Sequence, residues 1–181
     1  CSSVRMIDPE KNIAILHNGD VINYNYLVSS IPLNQLLAIL PSEYSQGLDS
    51  LSASVNFAVQ VGINREVDVL KDWSWIYVQQ DNLNIYRVGN YTKASAFMSG
   101  GCKGMSLYVE VSSQSTDPVA EVRDFLLTRF GVTSSDIEVI TFHQLDPGYV
   151  HIKEGEEQDI RVCLNNLETS NVYAIGRYGR W

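Results

Sequence analysis

Apolar residues recur along this chain with two periods. In residues 54–62, Val55, Phe57, Val59 and Val61 alternate with polar or small residues, the pattern of a half-buried strand. Three β-branched and aromatic runs follow within 73–110: Ile76-Tyr77-Val78, Ile85-Tyr86-Arg87-Val88 and Leu107-Tyr108-Val109. Asp81-Asn82 is a turn signal between the first two. Residues 12–17 and 21–24 read as strands around the Asn-Gly hairpin turn Asn18-Gly19-Asp20. Residues 26–30 read as a buried strand, and 137–142 and 171–175 as two more. The other period is helical. Leu33, Leu36, Leu37 and Leu40 follow Pro32 and stop at Pro41. Thr116 or Asp117 opens a helix over 118–130, whose face is Val119, Val122, Phe125, Leu126 and Phe130, and Gly131 closes it. Ile160, Cys163, Leu164 and Leu167 mark another over 158–167. Residues 43–52, 65–72, 92–103 and 143–152 read as connections, the second charged and the last rich in turn residues. This order lacks a regular βαβ alternation. It predicts an α+β fold: a mixed, largely antiparallel sheet of about seven strands with about three helices on one face. The 181 residues fit one domain, 1–181.

Composition narrows the function classes. The chain is 45% apolar and 19% charged, ordinary for a globular protein, and its net charge is −8. Nucleic acid and anionic membrane surfaces are excluded as general partners, because a polyanion meets net repulsion. No apolar run of about 18 residues offers a membrane span. The three cysteines, Cys1, Cys102 and Cys163, are odd in number and lack CxxC spacing. That argues against a disulfide framework and a zinc site, and for a reducing, cytoplasmic setting. His17, His143 and His151 have no carboxylate at ligand spacing, so no metal is expected. Ser99-Gly100-Gly101 lacks the P-loop and GxGxxG patterns, and no nucleophile–base motif or catalytic residue stands out. The chain has no initiator Met and stops on the aromatic, basic run 176–181, which reads as a piece of a longer protein.

The cation Arg87, set among aromatic residues, admits two readings. It is a solvated edge residue or an ion-pair partner of Glu110 or Asp81, or it awaits a phosphate or carboxylate that its planar fork fits bidentately.

Three motifs, spread in order over most of the chain, carry a resemblance. Tyr24-Asn25-Tyr26-Leu27-Val28-Ser29-Ser30-Ile31-Pro32-Leu33 resembles the "Y-D-x-L-V-S-T-x-P-L" stretch of flavin-dependent amine-oxidase-like proteins, including protoporphyrinogen oxidases and UDP-galactopyranose mutases. Trp75-Ile76-Tyr77, Tyr86-Arg87-Val88 and Ser106-Leu107-Tyr108-Val109-Glu110 are similar to "W-x-Y-F-P-E … F-Y-R-V … S-L-x-x-E-V" of the mutase type. Pro147-Gly148-Tyr149 and Gly176-Arg177-Tyr178-Gly179-Arg180-Trp181 resemble "x-G-Y-P" and "G-R-F-G-x-W". The sequence departs from the pattern where Val78-Gln79-Gln80 replaces "F-P-E" and Val150 replaces the proline.

The resemblance implies the substrate-binding portion of a mutase-like enzyme of surface polysaccharide (lipopolysaccharide) synthesis, acting on a nucleotide sugar. In such mutases the reduced flavin attacks the anomeric carbon of UDP-galactose and displaces UDP. By position, Arg87 would hold the diphosphate, with Tyr77 and Tyr149 in the same pocket, and Gly176 and Arg177 would lie against FAD. A tight hairpin at Asp81-Asn82 opposes this, because it pairs Tyr77 with Tyr86 and Arg87 with Ile76, on opposite faces. The alternatives are a piece of a protoporphyrinogen-oxidase-like or amine-oxidase-like flavoprotein, and a non-catalytic binding module. The missing partner would be an FAD-binding half, since these residues hold no dinucleotide fingerprint. The 181-residue chain, purified alone, is therefore expected to show no flavin absorbance. A flavin band at near-stoichiometric occupancy overturns this.

Overall fold

The computed structural model describes residues 2–48, 51–80, 82–99 and 103–181. Contacts gather these into two compact units, Cys1–Ala53 with Tyr149–Trp181, and Ser54–Gly148. Strands and helices combine in several sheets that are antiparallel but for one pair, the mixed α+β class that the periodicities predict. No helix among the described residues is long and apolar enough to cross a membrane.

In the first unit, β1 (Val4–Asp8), β2 (Ile13–Leu16) and β3 (Val21–Asn23) form an antiparallel meander. The β2–β3 turn falls at Asn18-Gly19-Asp20, with Gly19 at φ +91°, and the Asn18 amide donates to the Asp20 carboxylate at 2.7 Å. β4 (Leu27–Ser29) leads to α1 (Leu33–Ala38), which begins after Pro32 and buries Leu33, Leu36 and Leu37. β5 (Ser52–Ala53) ends the unit's first segment.

The second unit runs from β6 (Asn56–Ile63) through α2 (Asp68–Lys71), β7 (Trp75–Tyr77), β8 (Ile85–Asn90), α3 (Tyr91–Ala94), β9 (Met105–Ser112), α4 (Pro118–Phe130) and β10 (Ile137–Leu145). The first unit resumes with β11 (Val150–His151), α5 (Glu156–Thr169), β12 (Val172–Ala174) and α6 (Gly176–Gly179). There β11 pairs antiparallel with β5, and β12 pairs parallel with β4. α5 turns Ile160, Cys163, Leu164 and Leu167 into the core that also holds the α1 leucines. Burial pushes the Cys163 thiol up to about 11, and the thiol donates to the Tyr44 carbonyl at 3.3 Å, so it packs as a small apolar group.

The second unit is built on one antiparallel sheet in the order β10-β6-β9-β8-β7. Its apolar face is a lattice of opposed residues: Val61 with Leu107, Val59 with Val109, Val109 with Val88, and Val111 with Ile85. Val122, Phe125 and Leu126 of α4 cover this face. The cap of α4 is as the sequence predicts. The Asp117 carboxylate accepts the Ala120 amide at 3.0 Å, and Gly131 ends the helix at φ +62°. Glu121 ties α4 to the start of β8 by accepting from the Asn84 backbone at 2.9 Å and side chain at 3.1 Å. Burial raises the Glu121 pKa, but the nearby Ser115 hydroxyl and the Asn84 hydrogen bonds outweigh it and hold the carboxyl below its ordinary value.

Several expectations are corrected. The described residues hold more elements than about seven strands and three helices, because β5, β11, α2, α3 and α6 are two to four residues long and leave no periodicity, whereas β12 falls within the strand read at 171–175. Residues 26–30 do form a strand, β4, but only half buried: among the described residues it pairs with β12 alone, Ser29 is buried, and Val28 is 62% exposed. The turn-rich loop at 143–152 shrinks to 146–149. β6 is long enough to pair His143 with Ala58 and Leu145 with Asn56, which extends β10, and His151 joins β11. The charged connection at 65–72 contains α2, and residues 92–103 contain one turn of 3-10 helix after α3, while Gly100 and Gly101 lie outside the described residues.

Leu126 is fully buried and Leu127, its neighbour on α4, is 49% exposed. Leu126→Ala is expected to cost about 2–5 kcal/mol in chemical denaturation. Leu127→Ala is expected to change stability by less than about 0.5 kcal/mol.

Candidate functional site

Successive side chains of a strand point to opposite faces, so the residues between those of the core share the other face of the five-stranded sheet. One residue from each strand lines up across it. Tyr77 of β7 lies opposite Arg87 of β8, Arg87 opposite Glu110 of β9, Glu110 opposite Ala58 of β6, and Ala58 opposite His143 of β10. Beside this row runs a second, of Trp75, Gly89, Tyr108, Gln60 and Thr141. The row thus brings a phenol, a guanidinium and a carboxylate side by side on neighbouring strands, about 4.8 Å apart.

Two departures from regular geometry create this arrangement. The tight hairpin at Asp81-Asn82 does not form. The connection between β7 and β8 spans residues 78–84, with the Val78 amide bonded to the Tyr86 carbonyl at 2.9 Å. The register therefore moves by one residue: Ile76 pairs with Val88 and Tyr77 with Arg87, not with Tyr86. The second departure is a β-bulge between Ile85 and Arg87, with Tyr86 as the extra residue. Ile85 and Val88 both face the core, which a regular strand forbids at a spacing of three. The bulge reconciles them and delivers Arg87 to the outer face.

Arg87 is no solvated edge residue. Its Nη2 donates to the Glu110 carboxylate in an ion pair, the Arg87 side chain 26% exposed and that of Glu110 10%. The guanidinium also lies 5.9 Å from the Tyr108 ring centroid, a cation–π contact. Tyr108 reaches this place because residue 89 is glycine: a Cβ there would stand 2.0 Å from the Tyr108 ring. Tyr91 packs against Tyr108 with ring centroids 4.8 Å apart. Burial, and then the nearness of Tyr108 and Glu110, raises the Tyr91 pKa. Tyr77 and Trp75 are 64% and 54% exposed at the end of the rows. Asp81, the other ion-pair candidate, lies outside the described residues.

The remaining candidates belong to the first unit. Tyr149 opens its second segment, and the Arg177 guanidinium lies 5.7 Å from the Tyr149 ring and 5.6 Å from the Tyr178 ring. Gly176 starts α6 at φ +80°, and no atom stands within 4 Å of where its Cβ would be. The structure therefore pairs Tyr77 with Arg87 and Tyr149 with Arg177. Among the described residues, no group of three His, Cys, Asp or Glu side chains gathers to hold a metal ion. Sequence reasoning missed Tyr108 as a neighbour of Arg87 and left Glu110 as one of two ion-pair options. The signal for β9 was present, because Ser106, Tyr108 and Glu110 alternate with the apolar Leu107, Val109 and Val111.

No protein-family profile matches the sequence, and a search of curated proteins returns none similar to it. The fold does have solved counterparts. It is similar to a reduced UDP-galactopyranose mutase at a TM-score of 0.80 and 20% identity, over 98% of this chain and 40% of that one. A protein described as a protoporphyrinogen oxidase, from Exiguobacterium sp. 255-15, matches at a TM-score of 0.70 and 15% identity, over 95% and 40%. A triple mutant of putrescine oxidase matches at 0.56 and 12%, over 78% and 33%. The chain thus spans 40% of the length of the first two. The resemblance carried by the sequence motifs is also a likeness of fold.

Gly89→Ala is expected to destabilise the chain by about 1–3 kcal/mol, because the Tyr108 ring must move. In a Tyr108→Ala background most of that penalty should vanish. A penalty of equal size in both backgrounds in denaturant titrations shows the ring is not the obstacle.

Proposed function

We propose that this chain is the substrate side of a flavin-dependent enzyme of the UDP-galactopyranose mutase kind, with Arg87 and Tyr77 holding the diphosphate of a nucleotide sugar. The observation that carries the reading is the direct opposition of Tyr77 and Arg87 on one sheet face. A sugar–diphosphate bond breaks with charge gathering on the departing nucleotide. A guanidinium fork and a phenolic donor fixed on neighbouring strands stabilise that charge without having to reorganise. No acid–base residue is needed from this portion, which fits the lack of a nucleophile–base motif. A porphyrin or amine pocket has no comparable use for a phenol opposite an arginine.

FAD, held by the rest of the enzyme, would supply the nucleophile or redox chemistry. The residues of this chain that fit against it are Gly176, which leaves open space beside its backbone, and Arg177. Tyr149 is the third substrate candidate, on the first unit.

Arg87→Lys separates this reading from a purely structural arginine. The swap keeps the charge and loses the fork, so UDP titrated into the full-length protein should bind about 1–3 kcal/mol more weakly. Thermal unfolding of the same variant controls for the fold. Equal affinities would remove Arg87 from the site, and with it the case for a nucleotide sugar.

A further inference from the structure

Glu110 sits on β9, the central strand of the five, and is buried. A carboxylate at such a place is costly unless it is paired. Its partner is Arg87, whose side chain is the more exposed of the two, 26% against 10%. Three further features converge on the same guanidinium. The bulge at Tyr86 turns Arg87 onto this face, the Tyr108 ring lies against it, and Gly89 makes room for that ring. Together they leave the guanidinium one place to lie, beside Glu110 and against the Tyr108 ring.

We infer that Glu110 is a positioning residue for anion recognition. It fixes the Arg87 guanidinium, before any ligand arrives, in the orientation used with phosphate. This rests on the assignment of Arg87 to the substrate and deepens it. A long, flexible arginine loses rotamer freedom when it meets a ligand. Held by Glu110, that loss falls on folding and not on binding. The pair is also neutral as a whole. Phosphate is therefore selected by hydrogen-bond geometry more than by net positive charge, in keeping with the acidic balance of the chain.

The test titrates UDP into the full-length protein and its Glu110→Ala, Glu110→Gln and Arg87→Lys variants. Glu110→Ala is expected to raise Kd tenfold or more. Glu110→Gln, whose amide oxygen still accepts from Arg87, is expected to return Kd to within about threefold of wild type. An unchanged Kd in Glu110→Ala overturns the proposal, since the carboxylate then serves stability alone. A lowered Kd overturns it too, since the carboxylate then opposes the anion. Should Glu110→Ala fail to fold, side-chain NMR of the wild-type protein decides. Slow rotation of the Arg87 guanidinium without ligand is expected, and fast, averaged rotation overturns the idea. If Arg87→Lys weakens binding while Glu110→Ala does not, only the role of Glu110 falls. If Arg87→Lys changes nothing, the substrate assignment falls with it.

Discussion

A strand has two faces, and a residue's side is decided by whether its position is odd or even within the ladder. The candidate site depends on that constraint and on one interruption of it. β6 and β9 hold a strict alternation, so that Val59, Val61, Val109 and Leu107 all turn to α4. β8 cannot keep the same rule from end to end, because Ile85 and Val88 both belong to the core. Inserting Tyr86 as an extra residue costs one irregular pair in the ladder. In return the last part of β8 is in phase with β7, and the only charged residue of β8 leaves the apolar face.

The acid–base character of the outer face follows from its packing. Glu110 and Arg87 compensate each other, and two tyrosines and a glycine close the space around them. The face thus combines a satisfied charge pair on its central strands with exposed aromatic rings toward its β7 edge. Across the face the side chains pass from buried and charged to exposed and aromatic.

Much of this was legible in the residues. The leucine stripe of α1, the capped α4 and the inward face of α5 were readable because helical period, cap and stop signals agree with one another. The alternation of β6 showed its buried side for the same reason. What could not be read was pairing. The register of β7 on β8 is set by the length of the connection and by the bulge, and neither leaves a composition signal. β10 looked shorter than it is because an edge strand tolerates His143 and Gln144, which read as loop. β5 and β11 are two residues each and pair with each other across the chain, and the parallel partner of β12, though not the strand itself, was equally hidden. Arg87 was visible as an anomaly, yet its partner was fixed only once three strands were in register.

The parallel pair β4–β12 has a temporal consequence. Leu27 lies beside Val172, so the first unit joins segments near the two ends of the chain. The second unit is one unbroken stretch, Ser54–Gly148, with all its strands and its covering helix inside it. During synthesis, at roughly 5–20 residues per second, the middle of the chain emerges whole while the first unit still lacks α5 and β12. The sheet that bears Arg87 is therefore able to form on the ribosome before the first unit can. The leucines of α1 must meanwhile wait for a partner that has not yet been translated.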